Sequence, residues 1–385
     1  MKRKVCVVVT ARPSYARIKT ALRAIAAHPD LELQLVVAAS ALLDRYGAAV
    51  NIIERDGFVP AARVFNVVEG ENLIAAPKTT AVGMLELSTV FLTLQPDIVV
   101  TIADRYETMA TAIAAAYLNI PLAHVQGGEV TGNIDEKVRH AVTKLADYHF
   151  VSSESARQRV LRLGEYEDAV FNTGCPSIDL ARQVAEASNG IGFDPYEKYG
   201  GVGNRLDLSR GYLVVMQHPV TTEHEQARAQ AMTTLTAVDE LQLPTLWFWP
   251  NVDAGSDATS GAIRTYRELR PPKYIHFFKN MEPEDFLRLL LGSRCLIGNS
   301  SVGIRECSYL GVPVVNIGSR QQRRDRGGNV VDVPSNPAAI RSAVEKWLAS
   351  PRPGRDMTYG GGNAGQRIAD LLASVPLRFH KTITY

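Results

Sequence analysis

Residues 124–140 read His-Val-Gln-Gly-Gly-Glu-Val-Thr-Gly-Asn-Ile-Asp-Glu-Lys-Val-Arg-His, the densest run of chemically capable side chains in the chain. Glycines at 127, 128 and 132 permit tight turns and close approach of a ligand. Glu129, Asp135 and Glu136 supply carboxylates, and carboxylates in different surroundings can divide general-acid and general-base work. The plain alternative is that Asp135 and Glu136 are helix-start acids that favour the macrodipole. A second acid–base pair, Asp104-Arg105, closes an apolar run. There Asp104 suits a general base and Arg105 a phosphate contact or charge partner, while Asp104 also suits an N-cap. Arg12 ends the first apolar run beside a helix start, a good place to meet a phosphate, or simply a solvated loop arginine.

The second half of the chain repeats the theme with groups that bind rather than carry protons. His218 follows an apolar run and can donate to a phosphate oxygen. Asn251 stands in Asn-Val-Asp-Ala-Gly, a composition that suits hydroxyl or base recognition and, equally, turn chemistry. Ser300, Ser301 and Gly303 open a helix directly after a strand, where hydroxyls and backbone N–H groups can cradle a diphosphate or merely cap the helix. Glu306, one turn in, is placed for ribose hydroxyls. Arg320 begins a basic loop that can neutralise a diphosphate or lie solvated. Neither G-x-G-x-x-G after the first strand nor G-x-x-x-x-G-K-[ST] anywhere is present.

These groups need elements to hold them. Short β-branched runs at 5–10, 33–39, 97–102, 121–125, 148–151 and 169–171 alternate with helical patterns at 15–27, 80–94, 107–118, 136–145 and 155–163. The pattern restarts with strands expected at 212–216, 245–248, 274–277, 295–297, 312–316 and 330–331. Helices are expected there at 223–240, 258–270, 283–291, 304–310 and 337–348. Continuous apolar strands rather than alternating ones predict parallel sheets covered on both faces. The fold class is therefore α/β, with two doubly wound Rossmann-like domains at 1–175 and 176–363. A final helix from 364, after the glycines 360–362, is expected to cross back to the first domain. Ligands of such sheets bind outside the carboxyl ends of the strands, where the residues named above stand.

Composition narrows the function. At 385 residues the chain is long enough for two cores, and 46% hydrophobic residues can fill them. A net charge of +2 with 21% charged residues argues against a dominant nucleic-acid or membrane surface. The four cysteines form no C-x-x-C pair and imply neither a disulfide framework nor a metal site; Cys6 and Cys295 lie in apolar runs as small buried hydrophobes. The first apolar run is too short for a secretory signal, and no run approaches a membrane span, so a soluble cytoplasmic protein is the expectation.

Taken together, Asp104-Arg105, the segment 127–140, His218-Pro219, residues 251–255, 299–306 and 316–320, and the closing residues 359–363 resemble the hydrolysing UDP-N-acetylglucosamine 2-epimerases of sialic- and related nonulosonic-acid pathways. The resemblance covers nearly the whole chain. It implies a glycosyltransferase-B-like pair of Rossmann-type domains with a cleft between them, a homodimer, and a reaction needing neither NAD nor a catalytic metal. In that reaction the C2 proton and UDP leave to give a glycal, and water then adds with inversion at C2. By position it implies Asp104 and Asp135 as catalytic carboxylates. Arg12, Arg105, His218, Ser300, Ser301 and Arg320 fall on UDP-contacting positions, and Glu306 on the ribose contact. Two departures stand out: Gln126 occupies the place of a common catalytic glutamate, and Ser14 that of an acidic residue in the first loop. An amide takes no proton at neutral pH, so Glu129 or Asp104 covers that role, or the sugar differs. A 2,4-diacetamido-2,4,6-trideoxy sugar is as compatible as N-acetylglucosamine. A UDP-sugar glycosyltransferase and a catalytically altered UDP-sugar-binding protein are the alternatives.

Overall fold

The computed structural model describes residues 2–69, 74–131, 134–187, 190–250 and 255–384. Among them the chain divides into two compact units. The first takes the chain up to Val130, Ile134–Asp179 and everything from Tyr359 onward; the second takes Leu180–Thr358.

The sheet of the first unit contains β1 (Arg3–Val9), β2 (Leu31–Ala38), β3 (Ala62–Val64), β4 (Ile98–Ile102), β5 (Leu122–Val125), β6 (Tyr148–Val151) and β7 (Val170–Asn172). Their order is β3-β2-β1-β4-β5-β6-β7, with every pairing parallel. Alternation along β1 shows why both faces are covered. Val5, Val7 and Val9 pack with Tyr15, Ile18, Leu22 and Ile25 of the helix Arg12–Ala27 and with Ile368 and Leu372 of the helix Ala364–Ser374. Cys6 and Val8 pack with Leu87 and Phe91 of the helix Ala75–Leu94, and with alanines of the helix Tyr106–Tyr117. A strand buried on both sides has no polar face to show, hence the unbroken apolar runs.

The second unit repeats the plan with β8 (Leu213–Met216), β9 (Thr245–Phe248), β10 (Ile275–Phe278), β11 (Cys295–Gly298), β12 (Val314–Ile317) and β13 (Val330–Val333). Their order is β10-β9-β8-β11-β12-β13, again all parallel. In each sheet the chain reverses direction of winding once, between β1 and β4 and between β8 and β11. Ligands of doubly wound sheets bind outside the strand ends at such a switch point.

Some local expectations are refined. The three-residue edge strand β3 is an addition to the strands read from the sequence. Pro176, which reads as part of a break, opens the helix Pro176–Ala187, because proline in a first helical turn forfeits no hydrogen bond. The pattern at 304–310 resolves into two short helices, Ser301–Ile304 and Glu306–Leu310, broken at Arg305 (φ −102°, ψ −76°). The helix expected from 223 begins as a 3-10 segment, Thr221–Gln226, and becomes α-helical over Ala227–Glu240.

The last helix is tied to the first unit by a buried acid. Asp179 accepts from the Ala364 and Gly365 N–H groups (2.8 and 2.6 Å) and from the Thr20 hydroxyl (3.0 Å). Gly365 lies against the Thr20 backbone so closely that a Cβ would sit 2.7 Å from its carbonyl carbon. No helix among the described residues is long and apolar enough to cross a membrane.

Candidate active site

At the switch point of the first sheet, β1 runs into Arg12, half-buried at the start of its helix, and β4 runs into Ala103 and Asp104. Asp104 accepts a hydrogen bond from Arg139 Nη2, and the two form an ion pair with side chains only 14% and 1% exposed. Arg139 Nη1 donates to the Glu129 carbonyl oxygen at 2.7 Å. So a guanidinium from the helix Ile134–Leu145 joins the end of β4 to the loop after β5. A buried arginine is tolerable only when paired and hydrogen-bonded in this way.

Beneath this pair lies His124 on β5, fully buried. Its Nε2 is 2.8 Å from the Ala103 carbonyl oxygen, which can only accept. Nε2 therefore carries the proton, and Nδ1, 3.1 Å from Thr143 Oγ1, accepts from that hydroxyl. Burial drives the imidazole down to about 3, so the ring is neutral and donates through Nε2. Two non-glycine residues here take left-handed backbone: Ala103 (φ +64°) and Gln126 (φ +67°). Such conformations persist where the surroundings over-determine them, and they gather at functional sites. At Gly128 (φ +74°) a Cβ would lie 2.3 Å from the Ala156 carbonyl oxygen, so no side chain fits.

Gln126 is buried, with Nε2 donating to Cys175 Sγ at 3.1 Å. Its amide is thus pinned toward Cys175, and its Oε1 has no hydrogen-bond partner among the described residues. Glu129 is buried, whereas Asp135 and Glu136 are half-buried in the first turn of Ile134–Leu145. Glu136 Oε1 lies 3.4 Å from His140 Nε2. Arg105 turns to the buried carboxylate of Glu107, Nε to Oε2 at 3.2 Å.

In the second unit the hub is Asn299, after β11. Its Oδ1 accepts from the His218 N–H and its Nδ2 donates to the His218 carbonyl oxygen, both at 2.8 Å. This pair of bonds clamps the ends of β8 and β11 together at the switch point. The Asn299 carbonyl oxygen in turn accepts from Arg320 Nη1 (3.1 Å) and Gln321 Nε2 (2.9 Å). Gly298 makes the approach possible: at φ +135°, any Cβ would sit 2.1 Å from the Met216 carbonyl oxygen. Ser300 is the N-cap, its hydroxyl accepting from the Val302 N–H at 3.5 Å, and Ser301 opens the short helix. Gly303 faces the sheet, where a Cβ would lie 2.9 Å from Val314 Cγ1. Its position serves helix–sheet packing. Glu306 begins the helix Glu306–Leu310. Asn251 lies outside the described residues.

The structure therefore gathers Asp104 with the Glu129 peptide around Arg139 in one unit, and His218 and Arg320 around Asn299 in the other. Arg139 and Asn299 are the two organising residues that reading by residue type did not single out. Each lies inside a segment rich in candidate groups, but only burial shows that they face inward. Cys6 and Cys295 are buried and pushed up to about 12, so neither is a thiolate nucleophile. Among the described residues no cluster of His, Cys, Asp and Glu has the grouping of a metal site.

A profile of the family described as UDP-N-acetylglucosamine 2-epimerase matches residues 23–373. The chain belongs to the UDP-N-acetylglucosamine 2-epimerase family. Within that epimerase family it is 32% identical over 379 residues to the UDP-N,N'-diacetylbacillosamine 2-epimerase (hydrolyzing) of Legionella pneumophila, covering 98% of this chain and 97% of that protein. It is 30% identical over 333 residues to the GDP/UDP-N,N'-diacetylbacillosamine 2-epimerase (hydrolyzing) of Campylobacter jejuni, covering 86% and 84%. The fold matches the crystal structure of UDP-GlcNAc 2-epimerase from Neisseria meningitidis bound to UDP-GlcNAc, with a TM-score of 0.80 at 18% identity over 96% of this chain and 99% of that one. The epimerase-family fold, two parallel-sheet α/β domains, is the one the sequence pattern predicts.

Proposed function

We propose that this family member is a hydrolysing 2-epimerase that converts a UDP-linked 2-acetamido sugar and water into UDP and the free manno-configured sugar. The observation that carries it is the Asp104–Arg139 pair: a carboxylate fixed at a strand end, at the switch point where doubly wound sheets take their ligands. In the first stage a carboxylate, Asp104 with Glu129 and Asp135 as its companions, removes the proton from C2. The electron pair forms the C1=C2 bond of a glycal, and the C1–O bond to UDP breaks. In the second stage water delivers hydroxyl to C1 while a proton reaches C2 from the opposite face.

The second unit is assigned the nucleotide. Arg320, His218 and the hydroxyls of Ser300 and Ser301 stand at its switch point and suit the charge that grows on departing UDP. Arg12 and Arg105 are the corresponding cations of the first unit, Glu306 is assigned the ribose and Glu136 a polar contact to substrate. Gln126, an amide, contributes hydrogen bonding and no proton transfer. A sugar bearing acetamido groups at C2 and C4 is favoured by the names of the hydrolysing relatives. We take the working form to be a cytoplasmic homodimer, on the family resemblance alone.

The test is incubation with UDP-N-acetylglucosamine and with its 4-acetamido-4,6-dideoxy analogue, with no acceptor added, followed by product NMR. UDP and a free manno-configured sugar are expected from at least one. UDP released only when an acceptor is supplied would make the protein a transferase instead.

A further inference from the structure

Arg139 and Thr143 stand four residues apart on the helix Ile134–Leu145, and such residues lie one turn apart on the same face. Both are buried. Arg139 grips the Asp104 carboxylate and the Glu129 carbonyl oxygen. Thr143 donates to His124 Nδ1, and His124 donates to the carbonyl oxygen of Ala103, the residue before Asp104. Gly127, the turn after β5, rests on the same two groups: a Cβ there would lie 3.0 Å from both His124 Nδ1 and Thr143 Oγ1.

We infer that the helix Ile134–Leu145 is the positioning element of Asp104, holding its carboxylate through Arg139 and its preceding peptide through the Thr143–His124 relay. A side chain is located by its backbone and its terminal atoms. Here both are referenced to a single rigid element, and the left-handed Ala103 (φ +64°) is held in place by the relay from below. Arg139, His124 and Thr143 are thus positioning residues. Their meaning for catalysis rests on the epimerase reading proposed above.

Thr143→Val removes the hydroxyl and keeps the shape, leaving His124 Nδ1 without its donor; Thr143→Ser keeps the donor. Misplacement of a catalytic group acts on kcat, so Thr143→Val is expected to lower kcat about tenfold with KM within about twofold of wild type. Thr143→Ser should recover most of that loss. Arg139→Lys retains charge but replaces a two-pronged donor by a single point, and should lower kcat by about a hundredfold, again with little change in KM. It also serves as the second probe should Thr143→Val fold poorly, as judged by circular dichroism at the assay temperature.

The assay is UDP release together with deuterium entry at C2 in deuterated buffer. Wild-type exchange with full activity in both Thr143→Val and Arg139→Lys would overturn the positioning role alone. So would equal losses in Thr143→Val and Thr143→Ser, or losses confined to KM. A wild-type protein that never exchanges C2 would overturn the epimerase reading itself, and the two failures are thereby distinguished.

Discussion

Asp104 has two jobs that a single substitution separates. As the proposed base it takes a proton; as the partner of Arg139 it neutralises a buried cation. Asp104→Asn keeps an acceptor for the guanidinium and loses the basicity. Turnover should therefore fall by about a hundredfold or more, while UDP affinity, measured by calorimetry, stays unchanged. Stability should fall by about 1–3 kcal/mol, because a charge-assisted bond to a buried arginine becomes a neutral one. Equal turnover in the variant would remove Asp104 from the mechanism. At this scale the acid's place at the end of β4 was legible from the apolar run it closes, a place that equally suits an N-cap, which the structure gives to Arg105 instead. Arg139 was not: in sequence it is one charge among several on an amphipathic helix, and only its burial at 1% exposure separates it from a solvated neighbour.

The clamp made by Asn299 belongs to the scale of elements, for it joins two strands that are neighbours in space and 81 residues apart in sequence. Asn299→Ala leaves the His218 N–H and carbonyl without their partners in a buried place. A loss of about 2–4 kcal/mol in urea unfolding is expected, with weakened UDP binding because the end of β11, which carries Ser300 and the backbone carbonyl that Arg320 holds, loses the side-chain clamp to β8. Undiminished UDP affinity would show that the clamp is structural only. Strands and long helices were legible here because each is a continuous apolar run or a clean helical period. The kink at Arg305 was not: its backbone (φ −102°, ψ −76°) parts two short helices within one helical pattern, where Gly303 lies close against Val314 and Leu296. Nor was Pro176, which as a residue type signals a break, and whose place in a first helical turn is decided by the helix-forming residues C-terminal to it.

At the scale of the whole molecule the unbroken hydrophobicity of the strands announced parallel sheets, but strand order, and with it each switch point, comes from packing that no local pattern records. Burial also sets the response to acid. His124 and His149 are both buried and neutral, desolvation holding each below the ordinary 6.5, His124 at about 3. His149 Nε2 lies 3.0 Å from Glu165, and its Nδ1 has no hydrogen-bond partner among the described residues. Burial alone would raise Glu165, but hydrogen bonds from His149, Lys144 and Lys381 outweigh it and hold the carboxyl at about 2. For all three groups the unfolded chain binds more protons than the folded one below its ordinary value. The stability these three groups contribute is therefore fully present above about pH 6.5 and is lost as pH falls, first through the histidines and then, below about 4.5, through Glu165. Melting temperature measured from about pH 8 to about pH 3 should fall on the acid side, and Glu165→Gln should flatten the part below about 4.5. A profile that rises toward acid would contradict this account of the core.

The most direct test of the proposed chemistry tracks the hydrogen at C2. In deuterated buffer, with the UDP-sugar that the protein turns over, the free manno-configured product should carry one solvent deuterium at C2 for each UDP released. UDP released with the original C2 hydrogen retained would mean that no bond at C2 is broken, and elimination through Asp104 would be excluded.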